Sequence, residues 1–576
     1  MRILNNSDLL ESNESNLLEK ANWNKNLQPP LTVLALSMNT ITTKDAASSE
    51  IASISCVLVP EMDFEKNFEN GRLSKSISAF CCVRPLKDKA LPPGLAKRAA
   101  EQGRALRICS SEREMLGFFL AKLLSTDPDV VVAHNLYKHH LPLLLARMKA
   151  LKVINWSRLT RLRRSRMPFP RPMERGLPSG RLYVDTWASA IEFSFEKTYS
   201  LSHLAKKYFG MDTYSISPTE MKSKMASEVG IFEAIGSGCN EAFLTIRVMS
   251  HLSVLPLTKQ LTQLCGNLWS GSLQSKRAER NDFLLLHEFH RRKHICPEKR
   301  KSNNSYSYNK KKARYSGGLV LEPQKGLYDK LVLLLDYASL YPSIIIEHDI
   351  CFTTISQRDC DAGDELGIKE NSSAKKGVLP EIVKKLLERR GNVKKLMNKT
   401  VSERERGSLD IRQKALKLVA NSIYGCLGFE RSRFYCKEMA SLITLLGRKS
   451  LLAAKNAAED VQLEPPPRVI YGDTDSIMVA TGLLNLARAK RAAMEIIKAV
   501  NKRHMFMRIE LDGIFRNIIL LQKKKYAAKM VVGEKKGKIE TKLELKGIDL
   551  VRREWCNFSK KLGSISRFNK GLWHSR

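Results

Sequence analysis

The chain has 576 residues, of which 43% are hydrophobic, so it can form about three to four domains, and wholesale disorder is excluded. It carries 97 Lys and Arg against 59 Asp and Glu, a formal charge of +38 that is too large for an ordinary metabolic enzyme. This charge favours a polyanionic partner, nucleic acid first and an anionic membrane surface second, over a basic protein without such a partner. The sequence contains no run of eighteen apolar residues, so no membrane span is predicted. The twelve cysteines lack the spacing of metal or disulfide sites, which indicates a reduced, intracellular protein.

The N-terminal half predicts an α/β domain. Residues 1–28 are polar and are expected to be disordered. From 29 to 265 short β-rich runs alternate with helical ones, as in DVVVAHN at 129–135 and LPLLLARMKAL at 141–151.

A basic stretch separates the two halves of the chain. Residues 271–314 carry thirteen Lys or Arg against four acids and end in KRKSNNSYSYNKKKAR. Three interpretations of that final run stay open: a solvated loop, a nuclear-import signal and a phosphate-binding segment.

Two strand-like segments in the second half carry acidic residues. LVLLLD at 331–336 predicts a buried strand that ends at Asp336, and RVIYGDTDSIMVAT at 468–481 predicts two strands around a turn with Asp473 and Asp475. Carboxylates in an apolar frame are costly to ionise unless a positive charge compensates them. Three converging carboxylates could hold two Mg²⁺ ions roughly 3.5–4 Å apart, an arrangement used for phosphoryl transfer.

The Asp-x-Asp pair taken alone is weaker evidence. A plain acidic hairpin turn stays open as an interpretation of that pair. A calcium-binding EF-hand loop is excluded, because its fifth and sixth positions would be Ile477 and Met478 instead of a polar residue and glycine.

Two segments between these strands have helical periodicity. They are EIVKKLLERRGNVKKLMNK at 381–399 and IRQKALKLVANSIYG at 411–425. The charged segment 400–410 between them is predicted to be rich in turns, which gives an antiparallel helical hairpin.

The two predicted helices each present a polar face. Lys417, Asn421 and Tyr424 share one face of the second helix, and apolar residues cover the opposite face: Leu416, Val419 and Ile423. Arg390 and Lys394 lie four apart on the first helix. These cations could bind a triphosphate, and a solvated basic face is the alternative.

These segments resemble family B DNA polymerases, in the order of that family. The segments similar to its motifs A, B and C are DYASLYPSI at 336–344, KLVANSIYG at 417–425 and YGDTDS at 471–476. YSGG at 315–318 resembles the segment between its exonuclease-like and palm domains, and KKKY at 523–526 and ELKGIDLVRREW at 544–555 resemble its primer-gripping segments. GGLVLEPQKGLYDK, AERNDFLLLH and DIRQKALKLVANSIYGCLGFERSRFY are most similar to the alpha-type members.

The resemblance implies an α/β multi-domain fold. It consists of an inactivated, RNase H-like exonuclease-type domain, followed by a right-hand polymerase palm with helical fingers and a partial thumb. The expected boundaries are 29–265 for the exonuclease-like domain with N-terminal domain remnants, 266–360 and 429–530 for the palm, 361–428 for the fingers and 531–576 for the thumb stub.

The resemblance also implies residue roles. Two Mg²⁺ ions would be held by Asp336, Asp473 and Asp475, with Asp473 in a lesser role, and Lys417 would protonate the departing pyrophosphate. The nucleotide-binding set would be Ser339, Leu340, Tyr341, Arg390, Lys394, Lys417, Asn421 and Tyr424, with Tyr341 as a steric gate against ribonucleotides. The DNA-binding set would be Tyr315, Gly317, Gly318, Lys523, Lys524, Lys525, Tyr526, Lys546, Gly547, Arg552 and Arg553.

The acids of a proofreading exonuclease are largely replaced in this sequence. The positions that match the three exonuclease motifs are Ser37 and Asn39, then Asn135 and His140, then Ser237 and Glu241. Since one acid cannot hold two metal ions, we expect no 3′–5′ exonuclease activity.

The function implied is Mg²⁺-dependent extension of RNA–DNA primers on template DNA with deoxynucleoside triphosphates, in nuclear DNA replication. Primase and an accessory B subunit would be the partners, and no membrane is implied. Little of a thumb follows residue 555, and the cysteine-rich C-terminal module that holds those subunits has no counterpart, so we expect a fragment or a truncated gene model. Two alternatives stay open: a catalytically weak or dead, polymerase-derived nucleic-acid-binding protein, and another family B enzyme such as a translesion polymerase.

Overall fold

The structure is a computed structural model that divides into two compact units. It describes residues 29–42, 49–64, 77–86, 90–103, 105–163, 180–296, 298, 317–355, 376–535, 538–548, 556 and 558–559. The predictions for 1–28, for the basic run 299–314 and for Tyr315, Arg552 and Arg553 lie outside these ranges. Within them, no helix is both long and apolar enough to cross a membrane.

The first unit, Met1–Lys259 with Trp269–Ser275, is built on a mixed sheet. Its described strands are β1 (Leu31–Thr42), β2 (Ser49–Met62), β3 (Ser78–Val83), β4 (Ala105–Ile108), β5 (Val130–Ala133) and β6 (Leu182–Asp185). They lie in the order β4-β3-β2-β1-β5-β6. The pairs β1–β2 and β2–β3 are antiparallel, and the other neighbours are parallel.

Helices cover both faces of this sheet. They are α1 (Leu95–Glu101), α2 (Glu112–Thr126), α3 (Leu141–Ala150), α4 (Thr186–Phe193), α5 (Leu201–Phe209), α6 (Pro218–Lys224), α7 (Glu228–His251), α8 (Val254–Cys265) and α9 (Trp269–Leu273), with a π-helix at Leu136–His140 and a 3-10 helix at Trp156–Leu159. Leu34 of β1 belongs to the same buried cluster as Phe119 of α2, whereas Val33 belongs to that of Ile246 of α7. Burial on both faces explains why residues 33–36 of β1 are a continuous apolar run.

The second unit, Gln260–Leu268 with Lys276–Arg576, contains an antiparallel sheet. Its described strands are β7 (Gly326–Tyr328), β8 (Val332–Tyr337), β9 (Arg468–Asp473), β10 (Ser476–Ala480), β11 (Ile509–Gln522), β12 (Lys525–Lys535) and β13 (Lys538–Lys546). They lie in the order β13-β12-β11-β8-β10-β9, and β7 pairs with β11. The strand predicted at 331–336 is confirmed, although it ends at Tyr337 and not at Asp336. The two predicted strands around the Asp473–Asp475 turn are also confirmed.

Six helices accompany this sheet in the described part of the unit. They are α10 (Arg277–Arg291), α11 (Leu340–Glu347), α12 (Val378–Lys399), α13 (Glu403–Leu427), α14 (Lys437–Glu459) and α15 (Leu486–Asn501). The Tyr337 hydroxyl donates to the Ser450 carbonyl of α14, at 3.4 Å, so this side of β8 faces the helix. Val332 and Leu334 pack on the opposite face. Since side chains alternate along a strand, Asp336 projects from that opposite face.

The helical hairpin of α12 and α13 is confirmed, but its connection is shorter than predicted. The segment 400–410 was expected to be turn-rich, whereas α13 already begins at Glu403. The Ser402 hydroxyl accepts a hydrogen bond from the Glu405 N–H, and both acids of the first turn favour a helix N-terminus. The sequence Ser-Glu-Arg-Glu is therefore a capping signal, and the prediction of turns was wrong from residue 403 onwards.

Two histidines beside β5 are held uncharged in the first unit. The Nδ1 atom of His134 lies 2.9 Å from the Thr186 hydroxyl, and its Nε2 lies 2.9 Å from the Tyr199 carbonyl oxygen, which suits a neutral ring protonated at Nε2. The Nδ1 atom of His140 is buried without a hydrogen-bond partner among the described residues. Burial lowers the pKa of His134 to about 4 and the pKa of His140 to about 3.

These lowered pKa values predict a loss of stability in mild acid. An unfolded histidine has a pKa near 6.5, so the unfolded chain takes up protons below that pH while the folded rings stay neutral. Between pH 7 and pH 5, we expect the unfolding free energy of His140→Gln to fall by roughly 1–2 kcal/mol less than that of the wild type. Chemical denaturation at both pH values measures this, with the exposed His290→Gln as control. An identical pH dependence in wild type and His140→Gln would contradict the prediction.

Candidate active site

Asp336 is the residue before the last of β8 and lies between two neighbouring strands. Ser476 of β10 pairs with it on one side, and Glu510 of β11 pairs with it on the other. The residue is half-buried, and its Oδ1 atom is buried without a hydrogen-bond partner among the described residues. The strand therefore delivers a carboxylate whose charge is left largely uncompensated.

A backbone hydrogen bond brings Asp475 next to Asp336. The N–H of Tyr337 donates to the Asp475 carbonyl oxygen at 2.8 Å, and the Asp475 N–H donates to the Asp473 carbonyl oxygen at 2.6 Å. Thr474 has a left-handed φ of 59°, which tightens the turn between β9 and β10. The tip of this hairpin is thereby fixed to the end of β8.

The two carboxylates lie in an environment that disfavours their charge. Burial, followed by the neighbouring charges of Asp475 and Asp512, raises the pKa of Asp336 to about 6. Burial and then Asp473 raise the pKa of Asp475. The ammonium of Lys417 on α13 acts in the opposite direction on Asp336. A cation bound between these carboxylates would relieve both the burial and the repulsion.

Asp473 is engaged by a lysine. Its Oδ1 accepts a hydrogen bond from the Thr474 hydroxyl at 3.1 Å and lies 3.2 Å from Lys524 Nζ. Lys524 occupies the turn between β11 and β12, where its N–H donates to the Tyr471 hydroxyl at 2.8 Å. No group of three His, Cys, Asp or Glu side chains able to hold a metal ion occurs within the described ranges. The expected trio of carboxylates is thus a close pair with an ion-paired third member.

The predicted nucleotide-binding residues lie on α11, α12 and α13. The rings of Tyr341 and Tyr424 are in contact, with centroids 4.4 Å apart. Ser339 precedes α11 with a left-handed φ of 59°, and Leu340 is buried, so only its backbone is available to a ligand. The exposed members of the set are Lys394, Lys417 and Asn421.

Arg390 on α12 is the least satisfied cation of the set. It is half-buried, and its Nε atom is buried without a hydrogen-bond partner among the residues described. Burial lowers the pKa of the guanidinium, and Glu510, which pairs with Asp336, opposes that shift. An anion bound here would gain a directed, partly desolvated donor.

The predicted DNA-binding set falls into surface residues and structural ones. Lys523 forms an ion pair with Glu322, and Lys546 Nζ lies 3.1 Å from Glu544 Oε1. Arg448 donates to the Gly317 carbonyl oxygen at 3.1 Å. A Cβ atom added at Gly318 would lie 2.7 Å from Thr474 Cγ2, so this segment packs directly on the acidic turn.

Tyr526 and Gly547 differ from that expectation, because both are structural. The ring centroid of Tyr526 lies 6.1 Å from that of Phe515 in the core. Side chains alternate along β12, so Tyr526 points inward, as Ala528 does. Gly547 has a φ of 60°, and a Cβ atom there would lie 2.0 Å from the Lys524 carbonyl oxygen. Only glycine fits this position, which packs against the turn at Lys523 and Lys524 between β11 and β12, here called the lysine turn.

In the first unit, two of the exonuclease-motif positions, Ser37 and Glu241, are in contact. The hydroxyls of Ser37 and Ser215 donate to the two carboxylate oxygens of Glu241, at 2.8 and 2.7 Å. Asn39 donates to the Ser53 hydroxyl and the Ala234 carbonyl oxygen, both at 3.1 Å. The other motif positions have other partners or none within the described ranges. The Asn135 N–H donates to Asp185, and the Ser237 hydroxyl donates to the Tyr214 carbonyl oxygen. The Nδ1 atom of the half-buried His140 has no hydrogen-bond partner among the described residues.

Sequence reasoning missed Asp512 and Tyr471. Asp512 acts on the pKa of Asp336 across the β8–β11 pair. Its signal was an acid inside the strand-like run IELDGIF, the same pattern that identified Asp336. Tyr471 lies in the YGDTDS segment, but its contact had no local signal, because its partner Lys524 is distant along the chain.

Comparison with known proteins gives consistent matches. The profile of DNA polymerase family B matches residues 267–567, and that of the family B exonuclease domain matches residues 2–204. Among similar proteins, the DNA polymerase alpha catalytic subunit of Oryza sativa subsp. japonica is 40% identical over 93% of this chain and 38% of that protein. The corresponding proteins of Xenopus laevis and Mus musculus are each 38% identical over 93% of this chain and 38% of their own length.

The chain therefore spans well under half the length of these relatives. The polymerase profile covers more than half of the chain and includes the paired carboxylates, the helical hairpin and the lysine turn. The chain belongs to the family B DNA polymerases.

Proposed function

We propose that this chain is a DNA-directed DNA polymerase that extends primers by Mg²⁺-dependent nucleotidyl transfer. The observation that carries the proposal is the pairing of Asp336 and Asp475 through the Tyr337–Asp475 backbone bond, with Lys417 acting on the same carboxylate. The relatives, which are named DNA polymerase alpha catalytic subunits, support the same activity.

In this proposal the palm, 266–360 and 429–530, contains the antiparallel sheet of the second unit except for β13 and the end of β12. The α12–α13 hairpin belongs to the fingers, 361–428, and the strands from 531 begin a partial thumb. The first unit, 29–265, is the exonuclease-type domain. Asp336 lies near the end of β8, beyond the apolar cluster that covers Val332 and Leu334, and substrate would approach at this end of the strand.

The residues present fit divalent cations. The Oδ1 atom of Asp336 is buried and has no hydrogen-bond partner within the described ranges, and the pKa values of Asp336 and Asp475 are raised. A carboxylate pair that lacks a counter-charge should show these properties. We propose that this pair holds two Mg²⁺ ions, with Asp473 in a lesser role. Bound Mg²⁺ would neutralise charge on the triphosphate and on the attacking 3′ oxygen.

The cations of the hairpin would hold and orient the triphosphate. Arg390 would donate from a partly desolvated position, and Lys394 and Lys417 would act as point charges. Lys417 is the proposed general acid, which gives a proton to the departing pyrophosphate. The backbone at Ser339 and Leu340 would contact the phosphates.

The paired tyrosines would select the substrate. Tyr341, in contact with the tilted ring of Tyr424, would lie under the sugar and exclude a 2′-hydroxyl, and Asn421 and Tyr424 would line the nascent base pair. Holding the reacting groups in this geometry would account for much of the rate enhancement.

Primed DNA would lie along the lysine turn. Lys523, Lys524, Lys525 and Lys546 would meet phosphates, in keeping with the excess positive charge of the chain. We propose RNA–DNA primers, a nuclear location and the partners primase and an accessory B subunit, because the relatives are catalytic subunits of the alpha type.

The acidic pair gives the first test of this function. We expect Asp475→Asn and Asp336→Asn to reduce primer extension at least about 1000-fold, because each removes a carboxylate charge that would hold the Mg²⁺ ions. Incorporation of deoxynucleotides on an RNA-primed DNA template with Mg²⁺ measures this.

The matched control is Asp329→Asn, an exposed acid of the same unit, which should extend primers like the wild type. Wild-type rates in Asp475→Asn would refute the assignment. Incorporation by the wild type as low as that of Asp475→Asn would support the catalytically dead alternative instead.

Lys417 gives a second, separate prediction. We expect Lys417→Ala to lower the single-turnover rate by roughly 100-fold or more, with little change in primer–template affinity, because a general acid acts in the chemical step. Lys414→Ala, on the same helix but ion-paired with Asp410 at 2.6 Å, is the control. A loss confined to DNA affinity would contradict the role.

We also propose that the chain lacks proofreading. The Ser37 and Ser215 hydroxyls occupy both oxygens of Glu241, and the other motif positions hold serine, asparagine or histidine. A 3′-labelled mismatched primer should stay intact with Mg²⁺. Release of the label by the wild type that is absent in Glu241→Gln would show the prediction to be wrong.

A further inference from the structure

Helix α7 lies unusually close to the first sheet at one point. A Cβ atom added at Gly238 would lie 2.6 Å from the Ser55 hydroxyl oxygen and 3.0 Å from Ser55 Cβ, so only glycine allows this approach. Ser55 of β2 pairs with Cys81 of β3. The residue that follows on the helix, Cys239, is thereby brought to Cys81.

The two thiols are in direct contact. The Sγ atoms of Cys81 and Cys239 are 3.2 Å apart, although the residues are far apart in sequence. A disulfide bond has a length near 2.05 Å, so closure needs a movement of about 1.1 Å. The backbone around the pair is fixed by the Gly238 contact and by strand pairing, which keeps the sulfurs together.

The two members differ in access. Cys81 is 5% exposed and lies in the core between the sheet and α7, whereas Cys239 is only half-buried. A small oxidant can therefore reach Cys239 first. The contact with Cys239 and burial raise the pKa of Cys81, so Cys81 stays protonated and is not the thiol that attacks the oxidant first.

We propose that Cys81 and Cys239 are an oxidisable dithiol that forms a reversible disulfide, linking β3 to α7, when the chain meets a peroxide. The Cys239 thiolate attacks one peroxide oxygen, the O–O bond breaks, hydroxide leaves and a sulfenic acid forms on Cys239. The Cys81 sulfur then attacks the Cys239 sulfur, the S–O bond breaks, and the hydroxyl leaves as water with the Cys81 proton. Two thiols are oxidised and one peroxide is reduced to two waters.

The test treats the full chain with hydrogen peroxide, blocks remaining thiols and maps disulfides by mass spectrometry. We expect a linked peptide pair that joins residues 81 and 239, removed by dithiothreitol. Cys239→Ser should lose it, and Cys436→Ser, which alters a half-buried cysteine of the second unit, should retain it. The oxidised wild type should also melt at a higher temperature than its reduced form, while Cys239→Ser should show no such shift.

Three results would overturn the proposal. One is the absence of the 81–239 linkage in peroxide-treated wild type. The second is a dominant link from Cys81 to its sequence neighbour Cys82. The third is accumulation of stable sulfinic acid on Cys239 without any disulfide, because an adjacent resolving thiol should intercept the sulfenic acid first.

Discussion

The candidate active site depends on the pairing of β8 with β10. That pairing sets Asp336 opposite Ser476, and the adjoining Tyr337–Asp475 backbone bond fixes the acidic turn to the strand end. A slip of one residue in this register would turn Asp336 towards α14, on the side that Tyr337 now occupies. In the observed register, the two carboxylates stay close because the paired strands hold them there, and an apolar core stabilises those strands.

The same arrangement explains why the site lies within a basic protein. Repulsion and burial make the Asp336–Asp475 pair unfavourable without a counter-charge, and the nearby cations are spread over α12, α13 and the lysine turn. Lys524 already neutralises Asp473. In the proposed function, the remaining cations would meet an anion that arrives together with divalent cations, as a triphosphate does.

Local sequence patterns predicted the elements of the site but not all contacts between them. An apolar run closed by an acid predicted β8, and the 3.6-residue period predicted α12 and α13 with their buried faces. The ion pair of Lys524 with Asp473 and the inward position of Tyr526 depend on how distant strands pair, which no local pattern specifies. The resemblance to the family supplied the roles of residues, which periodicity alone could not give.

The central claim is that Asp336 and Asp475 hold cations jointly. Its most direct test is anomalous diffraction from crystals of the chain with primed DNA, an unreactive nucleotide and Mn²⁺ in place of Mg²⁺. The account predicts manganese in contact with both carboxylates. Manganese bound away from either one, with Asp336 and Asp475 both unliganded, would contradict it.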